Sequence, residues 1–215
     1  MITEIKIVLA DDHKLLRDGL KNIIEQKSNM HIIGEASDGR EAIKICSTLV
    51  PDILVIDVAM PGLNGIEAAG QIHKNNPEIK IIGLSMHSGK QFIQGMFKAG
   101  AFGYLLKDGD SDELIAAITT VMQNKKYLSK DIDQKFLNLL KKGGDLEKAQ
   151  LSSREKEVLQ LIAEGNSSKK IGEILFLSPK TIDVHRNNIM QKIDLHTIPA
   201  LTKYAIQKGL TTLDI

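Results

Sequence analysis

Five short apolar runs constrain this chain more than any other feature. They cover residues 5–10, 31–36, 53–57, 79–85 and 101–107, and a stretch of helical periodicity follows each. Runs this short and this rich in Ile and Val read as buried strands. After the first run, Leu15, Leu16, Leu20, Ile23 and Ile24 recur at helical spacing. After the second, Asp38 is placed to cap a helix carrying Ala42, Ile43 and Cys46. Further helices are expected over about 64–73 and 89–98, and from Asp110 through Leu114, Ile115, Ala117 and Ile118. Strands alternating with amphipathic helices predict an α/β domain, with a mostly parallel sheet covered on both faces.

In such folds ligands bind at the carboxyl edge of the sheet, so the strand ends are the informative positions. The first run ends on Asp11-Asp12, the third on Asp57, the fourth on Ser85 and the fifth on Lys107. Asp57 alone reads as well as a helix cap or turn residue. Five such residues, each closing a strand, favour a site. Three carboxylates in one pocket call for a hard cation such as Mg²⁺. The absence of soft ligands argues against zinc. A metal, a lysine and a hydroxyl around a nucleophilic aspartate are the parts phosphoryl transfer needs. Neither a Gly-x-x-x-x-Gly-Lys-Ser/Thr loop nor a Gly-x-Gly-x-x-Gly loop follows the first strand, so neither common type of nucleotide binding is signalled.

Composition narrows the classes. No stretch is apolar enough to span a bilayer, and the N-terminus lacks a secretory pattern. The single cysteine, Cys46, excludes an intrachain disulfide framework, and a cytoplasmic protein is expected. The net charge of +1 hides an asymmetry. Residues 1–128 carry 14 Lys/Arg against 16 Asp/Glu, and residues 129–215 carry 14 against 11. A mildly basic second part is weak support for a nucleic-acid partner.

The join reads as the end of the last helix at 123–128, a short helix over 131–140, and a hinge at Gly143-Gly144. The expected divisions are 1–128, a linker at 129–147 and a second domain at 148–215. In that domain Ser152 and Glu155 fit a capping box, and Gly165-Asn166 ends the helix. A second helix covers 168–175, with Phe176-Leu177 as the turn. Ser178-Pro179 is a strong start signal for a third helix, to about Ile193. A fourth runs from Ile198 to Lys208. Two short helices joined by a tight turn read as helix-turn-helix. Its outward residues are the candidate DNA contacts: Lys180, Thr181, Asp183, Val184, Arg186, Asn187, Asn188 and Lys192. On periodicity alone, a small helical bundle for protein contacts fits equally well.

Two resemblances weigh on these readings. The Asp11-Asp12 pair, Asp57, Ser85 and Lys107 match the receiver domain of two-component response regulators. That family has the flavodoxin-like, doubly wound, five-stranded parallel fold. The resemblance implies Asp57 as phosphoacceptor and Mg²⁺ (or Mn²⁺) held by Asp11, Asp12, Asp57 and the carbonyl of Ala59. It also implies Ser85 and Lys107 on the phosphoryl group and Tyr104 at the aromatic switch position. An aromatic in a strand is equally often core. Ala59, two residues past the acceptor, sits where relatives modulate phosphoryl loss, and its side chain offers no hydrogen bond.

The run Leu151-x-x-Arg154-Glu155, Ala163-x-Gly165, Lys170-Ile171 and Ser178-x-x-Thr181-Ile182-x-x-His185-x-x-Asn188-Ile189-x-x-Lys192 resembles the LuxR-type all-α helix-turn-helix domain. Together the two match the NarL/FixJ subfamily over almost the whole chain. That resemblance implies a phosphorylation-dependent transcription regulator that is not an enzyme on external substrates. Its partners would be a sensor histidine kinase and promoter DNA, and it would form a homodimer through residues 198–208. It further implies a resting receiver that shields the recognition helix and frees residues 178–192 on phosphorylation. Asp183 falls where some relatives carry a basic base-reading residue. Gly172 replaces a commoner alanine and is expected to weaken its helix by about 0.5–1 kcal/mol. The competing class is a receiver-type interaction module without sequence-specific DNA binding.

Overall fold

The computed structural model describes residues 4–132 and 151–212. They fall into two compact units, each built on its own core.

The first unit alternates strand and helix. Its elements are β1 (Ile5–Ala10), α1 (Lys14–Glu25), β2 (Met30–Ala36), α2 (Gly39–Leu49), β3 (Ile53–Asp57), α3 (Gly65–Asn75), β4 (Lys80–Ser85), α4 (Lys90–Lys98), β5 (Gly103–Leu106) and α5 (Ser111–Met122). The sheet is parallel, and its order runs β2-β1-β3-β4-β5. β3 lies at the centre, and all five of its residues are buried. Side chains alternate across a strand, so Leu54 and Ile56 join the core under one face while Ile53 and Val55 join the other. Both faces are therefore covered, which is what the unbroken apolar runs require.

Capping follows the sequence signals. Asp38 accepts hydrogen bonds from the Arg40 and Glu41 amides, and Asn64 accepts one from Glu67 at 2.9 Å. Asp110 caps α5 by accepting from Asp112. One apolar position departs from expectation: Leu15 is 89% exposed, because Leu16, Leu20 and Ile24 define the inward face of α1.

The sheet continues where a helix was expected. α5 stops at Met122, and Asn124 turns the chain at φ 59°. Asparagine tolerates that left-handed conformation better than most residues. A sixth strand, β6 (Tyr127–Leu128), then pairs parallel to β5. Past it the Ser129 amide donates to the Tyr104 carbonyl at 2.9 Å, and Ile132 is buried in the same core. The expected helix and hinge beyond Ile132 lie outside the described residues.

The second unit contains α6 (Ser153–Ala163), α7 (Ser168–Leu175), α8 (Pro179–Ile193) and α9 (Ile198–Gln207). Ser152 and Glu155 form the full capping box. Ser178 caps α8, with Pro179 at its first turn. Val158, Leu159, Ile171, Leu175, Ile182, Ile189 and Leu201 make the core. Among the described residues, no helix is long and apolar enough to cross a membrane.

Gly172 corrects an expectation. A Cβ there would meet the Leu177 carbonyl oxygen at 2.6 Å. That same turn closes with the Leu177 amide donating to the Gly172 carbonyl at 2.9 Å. The glycine therefore lets the α7–α8 turn fold back onto α7, and its cost in helix propensity is offset by that fit.

Candidate functional site

The parallel sheet brings the strand ends together. Asp11 follows β1 and is 1% exposed; Asp57 closes β3 at 2%. Lys107 follows β5, and its ammonium lies 2.7 Å from Asp57 Oδ2 and 2.7 Å from Asp11 Oδ2. It donates a hydrogen bond to Asp57. Its approach to Asp11 lacks hydrogen-bond direction, so Asp11 Oδ2 has charge contact but unfilled lone pairs. The Lys107 amide donates to the Ser85 carbonyl at 2.9 Å, which fastens the ends of β4 and β5.

These groups perturb one another. Burial pushes the Asp57 carboxyl above the usual range, against the pull of Lys107 and with some help from Asp11. Burial disfavours the Lys107 charge, but the attraction of Asp57 and Asp11 raises its affinity for the proton overall. One buried cation thus faces two buried carboxylates, a pocket short of positive charge.

The loop after Asp57 is held tightly. The Ala59 amide donates to Asp57 Oδ1 at 3.1 Å. Gly65 opens α3 directly against the loop, its amide donating to the Val58 carbonyl at 3.0 Å. A Cβ at Gly65 would collide with the Asp57 carbonyl oxygen. The Pro61-Gly62-Leu63-Asn64-Gly65 turn therefore packs α3 under the acid and fixes its backbone.

A hard cation fits this pocket. Asp11, Asp12, His13 and Asp57 each offer a ligand atom, all within 4.8 Å of one another. Carboxylate oxygens dominate the set, and the orphaned Asp11 oxygen is a waiting donor. His13 was not among the expected ligands. Its Nδ1 lies 2.8 Å from Asp12 Oδ1, though the ring is 70% exposed. The run Asp11-Asp12-His13 was the available signal.

Arg17 was also missed. It donates from Nη1 to the Asp11 carbonyl at 2.6 Å and from Nε to Glu35 at 3.1 Å. A basic residue on an amphipathic helix reads as solvated, and nothing local announces this tie.

Ser85 and Tyr104 meet through one backbone. The His87 amide donates to Ser85 Oγ at 3.0 Å, and the Tyr104 hydroxyl donates to the His87 carbonyl at 2.7 Å. Tyr104 is fully buried, and burial raises its phenol pKa. The His87 ring stacks on Phe92 at 4.9 Å. So Tyr104 is a core aromatic, and it is also hydrogen-bonded to the loop that follows Ser85.

In the second unit, α8 presents a stripe. Lys180, Val184 and Asn187 are exposed and share one face with exposed Gln191, which the sequence reading omitted. Asp183 and Asn188 flank the stripe, also exposed, while Thr181 and Arg186 are half-buried. Three of the expected contacts have partners within the unit, among them Thr181, whose Oγ1 lies 2.8 Å from the Ser178 hydroxyl oxygen. Lys192 Nζ lies 2.7 Å from Glu155 Oε2, whose side chain is 6% exposed. Asp183 Oδ1 accepts the Ser168 hydroxyl at 2.7 Å. Lys192 therefore serves the fold of this unit by pinning α8 to the α6 capping box.

Comparison with known proteins agrees with both units. Residues 7–119 match the response regulator receiver domain, and residues 149–205 match the bacterial regulatory proteins of the luxR family. The chain is 36% identical over 214 residues to the oxygen regulatory protein NreC of Staphylococcus epidermidis, covering 95% of this chain and 98% of that one. It is 35% identical over 208 residues to the response regulator UvrY of Escherichia coli, covering 96% and 95%. Among solved structures it resembles RcsB of Salmonella enterica serovar Typhimurium, bound to promoter rprA in the presence of a phosphomimetic. The identity there is 27%, the TM-score 0.61, and the coverage 94% of this chain and 98% of that one.

Proposed function

Because the chain belongs to the response regulators that join a receiver domain to a LuxR-type DNA-binding domain, we infer that it is a phosphorylation-dependent DNA-binding regulator of transcription. One observation carries the reading: a buried aspartate, paired with a buried lysine at a sheet edge, shares a chain with an exposed recognition helix. Its partners are a sensor histidine kinase, duplex promoter DNA and a second copy of itself, and it acts in the cytoplasm without a membrane attachment. The working divisions are a receiver at 1–128, a linker at 129–147 and a DNA-binding domain at 148–215.

The chemistry assigned to the receiver is transfer onto the protein itself. An Asp57 oxygen attacks phosphorus of the kinase phosphohistidine. The O–P bond forms as the P–N bond breaks, and the imidazole leaves with the electron pair. Lys107 exchanges part of its contact with Asp57 for the incoming oxygens, and Ser85 donates its hydroxyl to them. Asp11, Asp12, Asp57 and the Ala59 carbonyl are the ligands assigned to Mg²⁺ or Mn²⁺, which supplies charge neutralisation when bound. Tyr104, tied to the His87 carbonyl, senses the change in the loop after Ser85. Ala59 leaves that side of the site without a side-chain hydrogen bond.

The output is assigned to α8, with Lys180, Thr181, Asp183, Val184, Arg186, Asn187, Asn188 and Lys192 toward DNA. The dimer contact is assigned to 198–208. The test is label uptake from a radiolabelled phosphodonor. Wild type should take up acid-stable, alkali-labile label, and Asp57→Asn should take up none. Equal uptake by both would remove Asp57 as the acceptor.

A further inference from the structure

The outer surface of α8 carries a single acid, and its setting suggests which base it meets. Asp183 is exposed on the flank of the stripe that faces α7. Ser168, the first residue of α7, donates its hydroxyl to Asp183 Oδ1 at 2.7 Å. Among the described residues, Asp183 forms no ion pair and its Oδ2 has no hydrogen-bond partner. The stripe residues Lys180, Asn187 and Gln191 can all donate, so Asp183 is the only acceptor-only side chain in α8.

A carboxylate beside DNA has few favourable partners. Phosphates repel it. Burial against a base edge without a donor leaves a charge unpaired, which is costly. In the major groove only the adenine N6 and cytosine N4 amino groups donate. Adenine sets its acceptor N7 beside N6, and a carboxylate meeting the pair is attracted by one and repelled by the other. Guanine N7 and O6 and thymine O4 are acceptors alone. Cytosine N4 stands beside a C–H, so it is the edge that a lone acceptor fits. The Ser168 hydroxyl already satisfies Oδ1 and restrains the side chain, leaving Oδ2 of this exposed residue to take a donor.

We propose that Asp183, braced by Ser168, is a specificity-determining residue that selects a cytosine in the major groove of each half-site. This rests on the reading of α8 as the recognition helix. The contact adds no phosphate neutralisation, so it sets which base is preferred and leaves the salt dependence unchanged.

The test uses the full-length chain treated with acetyl phosphate and Mg²⁺, and selection from a pool of random duplexes. Wild type is compared with Asp183→Asn, Asp183→Ala and Ser168→Ala, each first checked for native helicity by circular dichroism. Wild type should enrich cytosine at one position per half-site, with binding about tenfold weaker when that base is replaced. Asp183→Asn retains an oxygen for Ser168 and should shift the preference to adenine, which an amide reads through N6 and N7. Asp183→Ala should accept any base there. Ser168→Ala should keep the position but soften the preference. Unchanged cytosine preference in Asp183→Asn and Asp183→Ala would overturn the proposal, even if both bound all duplexes more tightly. Such tightening would mark the acid as a repulsive charge only. If wild type enriched no sequence at all, the DNA-binding reading would fall together with this one.

Discussion

Lys107 is the residue on which the acidic pocket depends. Among the described residues its ammonium is the one cation within 2.7 Å of both Asp57 and Asp11, and all three side chains are at most 6% exposed. Removing one partner of a buried ion pair leaves an uncompensated charge, at a cost of about 3–5 kcal/mol. Lys107→Ala should therefore lower stability to chemical denaturation at neutral pH by about that amount in EDTA. Added Mg²⁺ should recover part of it by neutralising the same carboxylates. A variant as stable as wild type in EDTA would show that the pair does not set the charge balance of the pocket. Glu155 offers a separate test by pH. Burial works against its charge, but Lys192 and the Ser152 cap outweigh it and hold its pKa below the ordinary value of 4.5. A depressed pKa stabilises the fold above the ordinary carboxylate range, and that stability is lost as pH falls through the folded-state value. The melting temperature should thus fall more steeply below about pH 4.5 in wild type than in Glu155→Gln. Parallel curves would sever the link. Individual site residues were legible wherever a strand end announced them, as with Asp11, Asp57 and Lys107. The ion pair of Lys192 with Glu155 was not legible, because an exposed basic residue on a recognition helix reads as a DNA contact alone. Its partner lies 37 residues away and has no local signature.

At the scale of elements, caps and periodicity carried most of the fold. Asp38, Ser152 and Ser178 each begin the helix their chemistry promised. β6 was not legible, because two residues show no period. What holds it is tertiary. Glu113, on α5, accepts from the Ser129 hydroxyl at 2.9 Å and from the Lys130 amide at 2.9 Å, with the Tyr127 hydroxyl at 3.4 Å. Glu113→Ala should therefore speed hydrogen exchange at Ser129 and Lys130 while leaving the β1 and β3 amides protected. Uniform protection would show that β6 is held by its backbone pairing alone. The α7–α8 turn makes a prediction opposite to helix propensity. Gly172→Ala gains about 0.5–1 kcal/mol of helix preference but drives a methyl into the Leu177 carbonyl. Overpacking of this kind costs about 1–3 kcal/mol, so the variant should melt at a lower temperature than wild type. A rise would mean that the turn yields freely.

One chain carries an input chemistry in its first unit and an output surface in its second, and the short helix and hinge expected between them lie outside the described residues. The receiver was legible because five polar residues close four strands on one edge, and a parallel topology leaves few other places for them. The recognition helix was legible from Ser178-Pro179 and the spacing that follows. The central claim is that phosphorylation at Asp57 controls DNA binding by α8. Its most direct test is the equilibrium affinity of the full-length chain for a duplex selected by wild type, with and without acetyl phosphate and Mg²⁺. The account predicts that the phosphodonor tightens binding by wild type and leaves Asp57→Asn unchanged at its weaker level. Equal tightening of both proteins, or tight binding by wild type that ignores the phosphodonor, would contradict it.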